Sequence, residues 1–115
     1  MKVEFDELSN KVIGFAIEVH RNLGPGLLES TYEKCLAREL TLENIPFKVQ
    51  YPLPIEYKGI KLDCGYRIDL LIDDNLIVEL KSVDKHLSIY EAQVLTYMKL
   101  SNSKIGLLIN FNVER

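Results

Sequence analysis

Two apolar runs, Tyr66 to Ile72 and Leu76 to Lys81, are separated only by Asp73-Asp74-Asn75, and this pairing constrains the chain more than any other feature. Runs of this length joined by a short Asp/Asn-rich loop read as a β-hairpin. Their apolarity is continuous rather than alternating, so both faces of the hairpin are expected to be covered, with helices as the cover. Asp69, Glu79 and Lys81 interrupt these runs, at positions where an unpartnered charge costs on the order of several kcal/mol. Side chains alternate along a strand, so Ile77, Glu79 and Lys81 share one face and Leu76, Val78 and Leu80 the other. A loop of residues 73–75 sets Ile72 opposite Leu76 and, three residues back along each strand, Asp69 opposite Glu79. Like charges so placed repel unless a proton, a cation or a metal lies between them. Two readings of the cluster stand at this point: a salt-bridge group on a half-exposed sheet face, or a divalent-metal site. Hard oxygen ligands in this arrangement suit Mg²⁺ or Mn²⁺, and Lys81 beside them would orient a water nucleophile and stabilise charge developing on phosphorus.

The rest of the chain supplies the cover. Leu8, Val12, Phe15 and Val19 recur at helical spacing from about Asp6 to Asn22, with Ile13 and Ile17 widening the stripe, so this helix is expected to be largely buried. Gly24-Pro25-Gly26 ends it. A second helix follows from about Leu28 to Glu43, with Leu28, Tyr32, Cys35, Leu36 and Leu40 on one side and Glu33, Lys34 and Arg38 mostly on the other. Phe47 to Tyr51 alternates, and Ile55 to Tyr57 leads into Lys58-Gly59, together suggesting an edge strand or strand pair. A helix from about Ser88, read as its N-cap, to Leu100 and a strand from Lys104 to Asn110 complete the order ααβββαβ.

Composition narrows the function classes. The 115 residues carry a formal net charge of −3, which supports one core over residues 1–115 and argues against broad wrapping of nucleic acid, while leaving room for a local site. Cys35 and Cys64 are isolated, as are His20 and His86, so zinc and iron–sulfur sites lack sequence support, and both cysteines read as reduced core residues. No apolar run approaches the roughly 20 residues of a membrane-spanning helix. The mixed charges of Met1 to Glu7 show no secretory leader, and the expected compartment is the cytoplasm.

Ile68-Asp69 followed by Glu79-Leu80-Lys81 resembles the signature of the PD-(D/E)XK nuclease superfamily, with Ile68 where proline often stands. Gly26-Leu27-Leu28-Glu29-Ser30-Thr31-Tyr32 resembles the name-giving motif of that superfamily's GxxExxY family. Tyr66 to Leu71, Val78 to Val83, Glu91-Ala92-Gln93 and Gly106 to Phe111 resemble its other blocks in order. The resemblance implies a restriction-endonuclease-like α/β core, a four-stranded mixed sheet flanked by helices. It also implies Mg²⁺- or Mn²⁺-dependent hydrolysis of phosphodiester bonds in nucleic acid, with DNA the expected form and a 5′-phosphate left behind. Residue by residue, Asp69 and Glu79 match the metal ligands, the Leu80 carbonyl an additional ligand, and Lys81 the motif lysine. Glu29 matches a helix glutamate that completes the metal site, and Gln93 a glutamine that helps organise it.

The residues themselves qualify two of these roles. Glu29 borders the apolar face of its helix, although an acid also suits the first turn through the helix dipole. Gln93, four residues before Tyr97, equally suits a hydrogen bond along the helix surface. Tyr32 is expected in the core with its hydroxyl near Glu29. Lys85 and Arg67 flank the site as candidate contacts to substrate phosphate. A domain of this size offers little surface to a duplex, so a homodimer is expected, through the first helix or the strand at 47–51. The competing classes are a non-catalytic module on the same fold binding nucleic acid or protein, and a phosphodiesterase for a small nucleotide, which a deep closed pocket would favour.

Overall fold

In a computed structural model that describes residues 6–114, helix α1 (Glu7–Leu23) starts where the Asp6 carboxylate accepts the Ser9 backbone N–H at 2.7 Å. This contact satisfies one of the amides left without an intrahelical partner, and the Ser9 hydroxyl, followed by this N–H, holds the Asp6 carboxyl below its usual range. Residues Met1 to Phe5, part of the stretch read above for a leader, lie outside the described residues. Helix α2 (Glu29–Leu42) follows the Gly24-Pro25-Gly26 turn. Strands β1 (Phe47–Pro52), β4 (Arg67–Ile72), β5 (Leu76–Lys81) and β6 (Ile105–Asn110) form one sheet in the order β1-β4-β5-β6. The first two pairings are antiparallel and the last is parallel. A parallel pair needs a crossover, and helix α3 (Ser88–Ser101) supplies it.

The sheet is covered on both faces, as the unbroken apolarity of its central strands requires. Val12, Ala16 and Val19 of α1 and Tyr32, Leu36 and Leu40 of α2 pack against Leu70, Ile72, Leu76, Val78, Leu80 and Leu107. On the opposite face Leu71 and Ile77 meet Tyr97 and Met98 of α3, with Leu53 and Ile68 beside them. This is the α/β architecture expected from the sequence, and helix and strand limits agree to within a residue or so. Among the described residues no helix is long and apolar enough to cross a membrane.

Several expectations are corrected. Ile55 to Tyr57 does not join the main sheet; as β2 (Ile55–Tyr57) it forms a separate hairpin with β3 (Ile60–Leu62), whose tight reversal Lys58 and Gly59 make by both adopting positive φ. Ser88 is the first helical residue, and Leu87, extended and without a side-chain cap bond, stands at the N-cap. Leu28 stands at the N-cap of α2, outside its buried stripe, and is 74% exposed. Ile17 is also exposed, because α1 turns Val12, Ala16 and Val19 toward the core. Cys35 packs at the core edge, whereas Cys64 is exposed on the connection into β4.

Gly106 sits where α3 crosses the sheet. A Cβ there would lie 2.6 Å from Val94 Cγ1 and 2.7 Å from Met98 Sδ, so any larger residue pushes the helix away. Gly106→Ala is expected to destabilise the protein by about 1–3 kcal/mol, read as a lower urea midpoint at unchanged slope. An unchanged midpoint would mean that α3 does not press on β6.

Candidate active site

The hairpin β4–β5 pairs Ile72 with Leu76, Leu71 with Ile77 and Leu70 with Val78, and there the ladder stops. One step further on the same register, Asp69 faces Glu79, and side chains take over from backbone. The Asp69 N–H donates to Glu79 Oε1 at 3.2 Å, and the Leu80 N–H donates to Asp69 Oδ2 at 2.8 Å. The other side of β4 opens at the same point. The β1–β4 ladder pairs Val49 with Leu70 and Tyr51 with Ile68 but skips Gln50 and Asp69. Gln50 has φ 47°, and its side-chain amide donates to Asp69 Oδ1 at 3.2 Å and to Glu33 Oε2 at 2.7 Å. Around Asp69 the strand also changes face: Ile68 packs with Leu71, while Leu70 and Ile72 pack on the opposite side. In an extended strand the N–H and C=O of one residue point the same way, so the Leu80 carbonyl also faces the gap beside Asp69.

The electrostatics follow from this opening. Glu79 is only 4% exposed. Burial, and then the Asp69 charge, push its carboxyl up to about 8, with Lys81 pulling weakly the other way. Burial also raises Glu33, again with help from Asp69. The Lys81 ammonium lies over the Tyr90 ring at 4.8 Å from its centroid. Gln93 donates to the Tyr97 hydroxyl at 3.0 Å, and Tyr97 is raised first by burial and then by the Glu79 charge. Lys81, Gln93 and Tyr97 line one open cleft of about 710 Å³ with Ile55, Cys64, Tyr66, Ile89, Tyr90, Ala92, Thr96 and Leu100.

The segment from Gly24 to Tyr32 is a second structural unit. Gly26 has φ 95°, a conformation that other residues adopt only with strain. The Tyr32 ring is buried and stacked on Phe111 at 4.2 Å, as core packing predicts. Its hydroxyl is not at Glu29: it donates to the Gly24 carbonyl at 2.6 Å and accepts the Leu27 N–H at 3.1 Å, so it braces the turn. Glu29 instead accepts the Ser82 N–H at 3.0 Å, and the Ser82 hydroxyl donates to the Leu27 carbonyl. Arg67 turns to the Tyr66 carbonyl and to Asp63, and Lys85 is exposed on the connection between β5 and α3.

The structure therefore brings together Asp69, Glu79, the Leu80 backbone and Lys81, while Gln93 bonds to Tyr97, whose hydroxyl feels the Glu79 charge. Gln50 and Glu33 were missed. Glu33 lies next to Tyr32 and was assigned to the solvated side of its helix, yet it is half-buried; the acid pair Glu29 and Glu33, four residues apart, was the available signal. Among the described residues no three acidic, histidine or cysteine side chains gather closely enough to hold an ion. Two carboxylates with a carbonyl nonetheless suit Mg²⁺ or Mn²⁺, which bind through one or two carboxylates and keep several waters. Glu79, buried beside a second acid and in no salt bridge among the described residues, is the group such an ion would satisfy.

A mixed sheet whose central antiparallel strands part around paired carboxylates, with a lysine two residues beyond the second, defines a restriction-endonuclease-like α/β protein. The chain belongs to the PD-(D/E)XK nuclease superfamily, whose family model matches residues 6–115. Members of that superfamily are usually nucleases and typically use Mg²⁺ or Mn²⁺. The chain is also 28% identical over 117 residues to the "Putative ankyrin repeat protein R601" of Acanthamoeba polyphaga mimivirus, an alignment covering 96% of this chain and 37% of that protein. The chain thus spans little more than a third of this curated relative. No solved structure matches it.

Glu79 generates a pH dependence of defined sign. Its folded-state value of about 8 lies above the unfolded value of 4.5, so between these limits the folded protein binds more protons than the unfolded chain. Stability of the metal-free protein is expected to fall as pH rises from about 4.5 to about 8, and Glu79→Gln is expected to flatten that slope in urea unfolding across this range. A wild-type slope retained in the variant would remove Glu79 as its source.

Proposed function

We propose that the protein is a Mg²⁺- or Mn²⁺-dependent nuclease that hydrolyses phosphodiester bonds in nucleic acid, DNA first. The observation that carries this reading is the opening of the β4–β5 ladder at Asp69 and Glu79, where both carboxylates and the Leu80 backbone face one gap. Asp69 and Glu79, with the Leu80 carbonyl, would hold the ion. A divalent ion bound there supplies Lewis acidity toward a phosphoryl oxygen and a nucleophilic water at neutral pH.

The chain's own residues do the rest. Lys81 sets a positive charge beside the scissile phosphate, where its N–H groups orient the attacking water and offset charge developing on phosphorus. Tyr90 limits where that ammonium can go. Gln50 fixes one Asp69 oxygen and leaves the Asp69 Oδ2 side of the group turned to the gap. Glu29 secures the exit of β5 through Ser82, and in this reading its link to the ion runs through water. Gln93 is a positioning residue that acts through Tyr97, while Lys85 and Arg67 are the candidate phosphate contacts.

Within the superfamily the GxxExxY family fits best, because its three name-giving positions form one unit here: Gly26 at positive φ, Glu29 on Ser82, and Tyr32 bracing the turn. Exposed Ile17 on α1 and Val49 on β1 are the apolar surfaces that support a homodimer. The cleft is open rather than enclosed, which favours a polymer over a small nucleotide.

Purified protein is expected to cleave labelled DNA with Mg²⁺ or Mn²⁺ and not with EDTA, and Lys81→Ala is expected to lower the rate by roughly 10²-fold or more. Calorimetry should show ion binding that Asp69→Asn abolishes. Absence of cleavage on single- and double-stranded DNA and RNA, with no Asp69-dependent ion binding, would leave the non-catalytic reading.

A further inference from the structure

The cleft beside the carboxylate pair has the wrong chemistry for a phosphate backbone. Ile55, Tyr66, Ile89, Tyr90, Tyr97 and Leu100 make most of its wall, and among the described residues the only cationic group lining it is Lys81, two residues beyond Glu79 on β5. A duplex presents phosphates and groove edges and keeps the faces of its bases stacked inside, so it offers no ring face to such a surface. An unpaired strand offers flat aromatic rings joined by anionic linkers. Its bases stack on tyrosines, and a linker beside them falls at Lys81 and the carboxylate gap. A volume of about 710 Å³ leaves space for more than a single ring.

One ring and one aliphatic side chain are exposed to receive a base. Tyr66 is 44% exposed and meets Tyr97 edge-on at 6.1 Å, which turns part of its face outward. Ile89, 64% exposed on the first turn of α3, lines the same cleft. Gln93 adds a side-chain amide to the same wall, with the hydrogen-bonding groups that a base edge requires.

We propose that this cleft holds unstacked bases and that the substrate is therefore a single-stranded stretch of nucleic acid, threaded with its bases against α3 and Tyr66 and its backbone at Lys81. The inference rests on the nuclease reading for the nature of the strand, but base binding is measurable without cleavage.

The test is fluorescence anisotropy of the wild-type protein in EDTA with a labelled single-stranded DNA oligonucleotide, its duplex, and the same strand carrying abasic positions. The single strand should bind at least tenfold tighter than either the duplex or the abasic strand. Tyr66→Ala and Ile89→Glu, checked by circular dichroism for retained fold, should each weaken single-strand binding by about tenfold. Equal binding of abasic and normal strands, binding to none of the probes, or wild-type affinity in both variants overturns the proposal. A mononucleotide that displaces the strand at a matching affinity assigns the cleft to a free nucleotide and overturns it as well. Metal-dependent cleavage of duplex with base-independent binding sinks this inference and leaves the nuclease standing. Base-dependent binding with no cleavage does the reverse.

Discussion

Two carboxylates stand in for a missing piece of β-ladder. Asp69 takes the Leu80 N–H, Glu79 takes the Asp69 N–H, and the central hairpin opens at that point instead of continuing. Backbone amides at a sheet centre must be paired, so acceptors here are obligatory. Supplying them from acids places two carboxyl groups in a partly buried gap, where burial and then the Asp69 charge make the ionised form of Glu79 unfavourable. A neutral pair of acceptors would satisfy the same amides without that repulsion. Acidity at these positions is therefore not required by the fold, and in the proposed reading it serves to bind a cation.

The surrounding elements keep this gap from collapsing. Beyond Lys81 the chain leaves the sheet held on two sides: Glu29 and the Leu27 carbonyl take Ser82, while the Asn110 side-chain amide pairs reciprocally with the Val83 backbone. Phe111 adds its N–H to the Lys81 carbonyl and stacks its ring on Tyr32. The turn before α2 is braced in turn by the Tyr32 hydroxyl. The direction of Lys81 is thus set by a β5 exit fixed by contacts from α2 and from the end of β6, and by the Tyr90 ring it rests on.

What the sequence revealed and what it concealed divide along physical lines. The opposition of Asp69 and Glu79 was legible because a three-residue loop and period-two alternation leave a single register for an apolar hairpin. The face change at Asp69 was not, since it comes from the ladder opening on both sides of β4 and no local propensity encodes it. Gln50 escaped notice because an alternating edge strand gives a polar residue an unremarkable place; only its positive φ and its reach to Asp69 distinguish it. Glu33 was misplaced because helical periodicity defines which face is buried, but not that the border of that face leans over a carboxylate on the sheet. The β2–β3 hairpin was half visible: Lys58-Gly59 marked its turn, while its separation from the main sheet depends on the path of Leu53 into the α3-side core.

In the proposed reading, a chain with net charge −3 acting on a polyanion gains its hold elsewhere than in long-range attraction. Its paired acids add local repulsion until a cation offsets them. The apolar, tyrosine-lined cleft next to the gap answers this difficulty, because base stacking is insensitive to the sign of the surrounding field and demands only that the bases be accessible. On that argument the acidity of the protein and the strand state of its substrate are connected: the weaker the grip on phosphate, the more the interaction must depend on bases, and the more it selects nucleic acid in which they are already unpaired.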